Sequence, residues 1–461
     1  MTKPTQLVTS LYLLGSLATL TAGQIKNVLF IVSDDLKASA LGCYGNNICK
    51  TPHLDRLAAR GMVFERTYCQ GTWCAPSRLS FMHSRYEGSQ GKNMGEYFRI
   101  QGMHSARVGK IYHMRVPGDI IAGTDGQDIP STWDEKFNTK GTEAHTPGAY
   151  ACLNLNIFTD KLENRESTGM KHRMFVSVNY EGDGADQPDW KAAEKTVEIL
   201  NTHGDKPFFI ATGFVRPHYP SVAPSKFFEM YPFAKMPLPK VPKGDLADIP
   251  KPGLARTTSQ KSGIAKWPDN QKRMWAAYYA TVTYMDEQLG KIMDELDRLK
   301  LTDSTAIVFI SDHGYHLGEH HFWQKSNLHE EVTHVPMIIS APGLKPGRTQ
   351  ALAELMDIYP TLCSLLEIPI PKSVQGRSLL PILKDPGARP RTDALSLLRG
   401  SHGLRTDRWA FMKYKNGDEE LYDMKTDSGQ FTNLAEKKEH QATKVRLLTL
   451  LKERIKSASL R

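Results

Sequence analysis

Two short apolar runs, far apart in the chain, constrain its fold most. Asn27-Val28-Leu29-Phe30-Ile31-Val32-Ser33 and Thr305-Ala306-Ile307-Val308-Phe309-Ile310-Ser311 are apolar and partly β-branched, and they read as buried strands. Each ends in acid: Asp34-Asp35 after the first, Asp312-His313-Gly314 after the second. From Asn27 to about Pro386, strand-like segments alternate with helical ones, the pattern of a helix-flanked α/β sheet. In open α/β sheets ligands collect outside the carboxyl ends of the strands, so the two acidic exits are expected to share a site. Hard carboxylate oxygens favour a hard cation, and Ca²⁺ fits best. The histidine leaves Zn²⁺ or Mg²⁺ open. Taken singly, acidic residues after a strand are more often turn formers or helix caps.

Between these strands lies Cys74-Ala75-Pro76-Ser77-Arg78. A lone cysteine is usually a small buried apolar group, so the pentapeptide gains weight only beside the acidic exits. Elsewhere, Thr51 to Gly61 has a helix's start and stop, with Pro52 in the first turn, Arg60 near the end and Gly61 beyond. Pro207 to Val215 and Val335 to Ala341 are further strand candidates, and Gln271 to Leu299 has the apolar spacing of a long amphipathic helix. Pro117 to Pro147 and Pro232 to Pro268 lack periodicity and read as long surface excursions. After Asp393 the composition changes. Arg405 to Tyr414 reads as one strand, Asn416-Gly417 as a hairpin turn and Glu420 to Met424 as its partner, with a helix from about Glu436 to Ile455.

At 461 residues the chain suits one large α/β domain with a smaller appendage. Lys3, the apolar stretch Leu7 to Leu20 and the small residues Thr21-Ala22-Gly23 predict a signal peptide over 1–23 and export to the periplasm or beyond the cell. No later stretch reads as a membrane span. Cys43 and Cys49 are near enough in sequence to pair across a loop. The formal charge of +9 attracts polyanions. Its lysines and arginines are dispersed, with no basic helix or aromatic-interleaved basic motif, which favours a sulfated sugar over nucleic acid.

Taken together, Asn27 to Asp35, Cys74 to Arg78, Ser311 to His320 and Glu420 to Leu434 resemble type I sulfatases, in matching order, over nearly the whole mature chain. Ser33-Asp34-Asp35-Leu36, Gly42-Cys43-Tyr44-Gly45, Val108-Gly109-Lys110-Ile111-Tyr112-His113, Arg216-Pro217-His218 and Ser311 to His320 are similar to iduronate-2-sulfatase and its bacterial relatives. The resemblance implies an alkaline-phosphatase-like mixed sheet flanked by helices over 24–392, and a small C-terminal antiparallel sheet plus helix over 393–461. It implies that a maturing enzyme oxidises Cys74 to formylglycine, whose hydrate carries two hydroxyls on one carbon, one to attack sulfur and one to expel sulfate. It also implies one Ca²⁺ held by Asp34, Asp35, Asp312, His313 and the modified Cys74. Arg78, Lys110 and Lys325 would neutralise the hydrate and the sulfate oxygens. His113 would be the base that releases sulfate, and His218, with Lys325, the proton donor to the leaving alcohol.

The chain departs from the family at His83-Ser84-Arg85, where Thr-Gly-Arg is usual, and at Tyr315, where the iduronate enzyme has tryptophan. A 2-O-sulfated uronic acid is the first candidate substrate, with algal sulfated galactans or ulvan-type glycans next. Two other functions compete: a phosphoester or phosphonate hydrolase on the same fold, and a sulfated-glycan binder that never matures Cys74. His316, His320, His321, His329 and His334 crowd one region, as scattered loop histidines or as a second metal cluster.

Overall fold

The computed structural model describes residues 25–165 and 170–458. The expected signal segment lies outside them. Eight strands form the main sheet: β1 (Asn27–Asp34), β2 (Met62–Tyr68), β3 (His104–Gly109), β4 (Glu135–Phe137), β5 (Phe208–Pro217), β6 (Thr305–Ser311), β7 (His334–Ser340) and β8 (Gly347–Glu354). Their order is β8-β2-β7-β6-β1-β5-β3-β4. β6, β1, β5, β3 and β4 run parallel, and β7 runs antiparallel to both its neighbours, so the sheet is mixed.

Both faces are covered, which is why the central strands are continuous apolar runs rather than alternating ones. Leu29 and Ile31 of β1 face a core shared with the long helix Pro268–Arg298, while Val28, Phe30 and Val32 face Phe81, Met82, Ile358 and Leu362 on the other side. In chain order the helices named here are α1 (Pro52–Arg60), α2 (Cys74–His83), α3 (Pro188–His203), α4 (Pro268–Arg298), α5 (Ile358–Leu365) and α6 (Gln441–Ser457). α1, α3 and α4 cover the first face; α2 and α5 cover the second.

The C-terminal part is a four-stranded antiparallel sheet, β9 (Asp393–Leu398), β10 (Ser401–Thr406), β11 (Trp409–Lys413) and β12 (Glu419–Asp423), covered by α6. Arg405 to Tyr414 is therefore not one strand: Asp407-Arg408 turns the chain between β10 and β11. This sheet grips the segment that leads to Cys74. Ser396 Oγ donates to the Cys69 carbonyl at 2.6 Å, the Leu397 amide donates to the Gln70 carbonyl at 2.8 Å, and the Arg399 guanidinium lies 5.2 Å from the Trp73 ring centre.

Other expectations also change. Glu135–Phe137, inside a stretch expected to be a surface excursion, adds the edge strand β4. Within 232–268, Met236, Ile249, Ala255 and Ile264 are buried, so that excursion packs onto the body. Cys43 and Cys49 are not joined in a disulfide, and Cys49 turns its Sγ toward the Tyr279 carbonyl at 3.9 Å. His316, His320 and His329 are buried and hydrogen-bonded or ion-paired to Asn327, Asp245 and Glu420 respectively, whereas His334 bonds the Glu65 carbonyl.

Candidate active site

Strand register builds the site. Ser33 of β1 lies opposite Ser311 of β6, so Asp34-Asp35 and Asp312-His313 leave the sheet side by side. On the other flank Asp34 is level with Pro217 at the end of β5, and Gly109 of β3 with Gly213. Four parallel strands thus deliver Asp34, Asp35, Lys110, His113, His218, Asp312 and His313 to one rim. The seryl side chains tie the exits down: Ser33 Oγ donates to the Arg216 carbonyl at 2.9 Å, and Ser311 Oγ accepts from the Leu36 amide at 2.9 Å. A side chain at Gly213 would meet the Lys110 carbonyl oxygen at 2.1 Å, so only glycine permits this approach. Asp35 is held at φ 63°, the left-handed region that non-glycine residues adopt under constraint and often at functional sites.

Cys74 is the first residue of α2, and the helix N-terminus aims unpaired amides at this rim. Its Sγ lies 3.1 Å from Lys325 Nζ, 3.3 Å from His313 Nε2 and 3.4 Å from Asp34 Oδ1. Burial and Asp34 work against a thiolate here, but Lys110 and Lys325 pull the thiol below its ordinary value. One helical turn on, Arg78 is fully buried. Its Nε donates to Asp312 Oδ2 at 2.8 Å, Nη1 to the carbonyls of Lys110 and Ile111, and Nη2 lies 3.4 Å from Asp34 Oδ1. Lys110 is hydrogen-bonded to Asp34, and Lys325 to Asp35. Burial opposes the charge on Asp34, yet the Lys110 and Arg78 cations hold its carboxyl well below the usual range.

The metal-ligating types cluster tightly. Asp34, Asp35, Cys74 and His313 each present a ligand atom, all within 4.8 Å of one another, and Asp35 Oδ2 is buried without a hydrogen-bond partner. Asp312 borders this set, with Oδ2 3.5 Å from His313 Nε2 and Oδ1 accepting from the Asp35 and His313 amides. Its charge lifts His313 to about 9 against the opposing effect of burial.

The two further histidines differ. Burial and the Lys110 charge push His113 down to about 4, and its Nδ1 has no hydrogen-bond partner. His218 lies 2.6 Å from the Tyr219 carbonyl through Nδ1, which must carry a proton to donate; Nε2 stands 3.7 Å from Asp35 Oδ2. Burial and Lys325 hold His218 neutral. Sequence reasoning missed what positions it. Arg216 pairs with buried Glu143 at 3.1 Å, and Asp189 accepts from the Val215 and Arg216 amides at 2.7 and 3.0 Å. The Tyr219 ring lies tilted by 33° against that of His218, with centres 4.2 Å apart, and Lys325 Nζ is 5.8 Å from the Tyr219 ring centre. Glu143 and Asp189 gave no sequence signal, because acidic residues in a loop and a first helical turn are commonplace.

With the geometry in hand, comparison with known proteins gives a family. The sulfatase family profile matches residues 26–368, well over half of the chain. The chain belongs to the sulfatase family. As a sulfatase it is a sulfuric ester hydrolase, and its fold is the alkaline-phosphatase-like one. A second profile, that of the C-terminal region of N-sulphoglucosamine sulphohydrolase, matches 318–457. This sulfatase is 30% identical over 445 residues to a sulfatase of Formosa agariphila, covering 89% of this chain and 83% of that protein. It is 30% identical over 408 residues to human iduronate 2-sulfatase, covering 75% of this chain and 70% of that one. In three dimensions it is similar to a phosphonate monoester hydrolase from Silicibacter pomeroyi, with a TM-score of 0.73, 24% identity and coverage of 94% and 96%. Among the described residues no helix is long and apolar enough to cross a membrane.

Ser84, one of the departures from the family signature, has a structural account. It ends α2 at φ 51°, where glycine is usual, and compensates by donating to the Met356 carbonyl at 2.6 Å and accepting from the Gly376 amide at 3.1 Å.

Proposed function

We propose that this sulfatase removes sulfate from a sulfated sugar, with a 2-O-sulfated uronic acid as first candidate, through Cys74 matured to formylglycine beside one Ca²⁺. The observation that carries this reading is the meeting of the Cys74 Sγ with Asp34, His313 and Lys325 at 3.1–3.4 Å on the rim of the sheet. The donor set fits a cation, because a buried carboxylate oxygen of Asp35 has no hydrogen-bond partner and the cluster supplies several carboxylate oxygens in one small volume. Asp34, Asp35, His313 and the modified Cys74 would hold it, with Asp312 beside them. When bound, Ca²⁺ supplies fixed positive charge that polarises oxygen and lowers a hydroxyl's pKa.

The protein's own groups do the rest. Arg78, Lys110 and Lys325 place three cations around the Cys74 side chain, where charge on sulfate oxygens grows in the transition state. His113, neutral at ordinary pH, accepts a proton from the reacting hydroxyl. His218 must carry a proton on Nε2 to donate to a leaving alcohol. Burial opposes that charge, and an approaching sulfate monoanion favours it. Export through residues 1–23 and encounter with a maturing enzyme belong to the same reading.

Two tests follow. Chelation is expected to lower turnover by at least about 10²-fold, restored by added Ca²⁺, since a metal at a reacting oxygen contributes several kcal/mol. Full activity after exhaustive chelation would remove the cation from the account. The similarity to a phosphonate monoester hydrolase makes the phosphoester reading the one to exclude. Aryl sulfate is expected to turn over faster than aryl phosphate by about 10²-fold or more in kcat/KM, about 2.7 kcal/mol; the reverse order would favour the rival.

A further inference from the structure

One arginine beside the reaction centre lacks an anion. Arg173 ends the single helical turn Met170–Arg173, and its guanidinium carbon lies 5.7 Å from the Tyr219 ring centre. The same ring packs 4.2 Å from that of His218, and Lys325 Nζ lies 5.8 Å from its centre. Tyr219 therefore links Arg173 to the two groups assigned to the leaving alcohol. Burial raises the Tyr219 phenol, Lys325 opposes that rise, and Asp35, Arg173 and Cys74 act on the same group. The backbone that carries Arg173 is held in place. The Phe175 amide donates to the His172 carbonyl at 2.8 Å, and the Phe175 carbonyl accepts from the Leu153 amide at 3.0 Å. The Phe175 ring meets Trp323, two residues before Lys325, edge to face at 5.3 Å.

The other arginines of this rim are saturated: Arg78 pairs with Asp312 and Asp34, and Arg216 with Glu143. Arg173 is not. It is half-buried, its Nε is buried without a hydrogen-bond partner, and among the described residues no carboxylate pairs with it. Its contact with the Tyr219 ring uses the face of the guanidinium and leaves the N–H fork free to meet an anion. That fork matches a carboxylate or a sulfate through two parallel bonds, and shielding from water on one face strengthens them. Arg78, Lys110 and Lys325 already surround the Cys74 side chain, where one sulfate reacts. A further cation on the leaving-alcohol side is placed for a different negative group.

We propose that Arg173 recognises a second negative charge on the sugar, a carboxylate or a further sulfate, while the first sulfate is held at Cys74. This rests on the sulfated-sugar reading above and narrows its substrate class to sugars that carry two anions. Because Tyr219 lies near both Arg173 and Lys325, a single sugar unit can span the two cations. Arg173 selects the sugar and leaves the breaking of the ester to the groups around Cys74, so its effect belongs in affinity.

The test is inhibition of aryl sulfate turnover, in the full-length matured protein, by methyl hexopyranosides sulfated at O2 that differ only at carbon 6: an alcohol, a carboxylate or a second sulfate ester. At least one doubly charged sugar is expected to have a Ki about tenfold or more below that of the alcohol, the scale of a hydrogen bond to a charged group. Arg173→Gln is expected to bring that ratio to within about twofold of unity, with a circular dichroism melt showing that the variant folds. Arg173→Lys, which keeps the charge without the planar fork, is expected to retain part of the preference. A preference for the carboxylate identifies a uronate and one for the second sulfate a disulfated hexose; either upholds the assignment. Equal inhibition by all three sugars in the parent overturns it, as does a ratio unchanged in Arg173→Gln. A matured parent that turns over no aryl sulfate strikes the sulfate-ester reading itself, and the role of Arg173 falls with it.

Discussion

Replacing Cys74 by alanine is expected to lower sulfate-ester turnover by about 10⁵-fold or more, the scale seen when a nucleophile that works as part of a unit is removed. The thiol position is where α2 begins and where Asp34, His313 and Lys325 converge, so no neighbour stands ready to replace it. Arg78, Lys110 and Lys325 remain in the variant, and some affinity for sulfated ligand is expected to persist. The side chain is small and buried, so stability should fall modestly, as for a volume-reducing core substitution. Steady-state kinetics with an aryl sulfate, beside a circular dichroism melt, checks both parts. Activity retained within tenfold of the parent refutes the nucleophile assignment.

Arg78→Ala is expected to have the second largest effect, and on two quantities at once. Arg78 is fully buried and compensates two buried carboxylates, Asp312 and Asp34, while its Nη1 satisfies the Lys110 and Ile111 carbonyls. Deleting one partner of such a group leaves uncompensated buried charge and costs about 3–5 kcal/mol. Turnover should fall by about 10²–10³-fold or more, because a preorganised cation beside the reacting centre is lost. Arg78→Lys separates the two effects. It keeps the charge but not the planar fork, so the protein should fold and bind while turnover stays depressed. Denaturant midpoints and kcat for both variants give the answer; an alanine variant as stable and active as the parent would show that Arg78 is neither clamp nor catalyst.

What the sequence displayed best was what local pattern encodes. β1 and β6 are continuous apolar runs because both faces are covered, and α4 keeps its apolar spacing over eight turns, so each stood out without neighbours. The acidic exits could be paired because in-register parallel strands end at one level. Hidden features depend on partners distant in sequence. β4 is three residues long and is a strand only because β3 offers it an edge. Thr406-Asp407-Arg408 carries no glycine or proline, so the turn between β10 and β11 lacked the usual signal. Met236, Ile249, Ala255 and Ile264 are buried singly, and isolated contacts leave no periodicity to read. His316, His320 and His329 looked like loop histidines, but their rings lie 5.1–6.3 Å apart beneath the C-terminal sheet, where Glu420 and Asp245 meet them.

Mass spectrometry of the peptide containing Cys74, from protein co-expressed with a sulfatase-maturing enzyme and assayed in parallel, decides whether Cys74 is the matured nucleophile. An aldehyde in place of the thiol at Cys74 is expected, with turnover rising in proportion to the converted fraction across preparations. Full turnover from protein in which Cys74 is entirely thiol would contradict it.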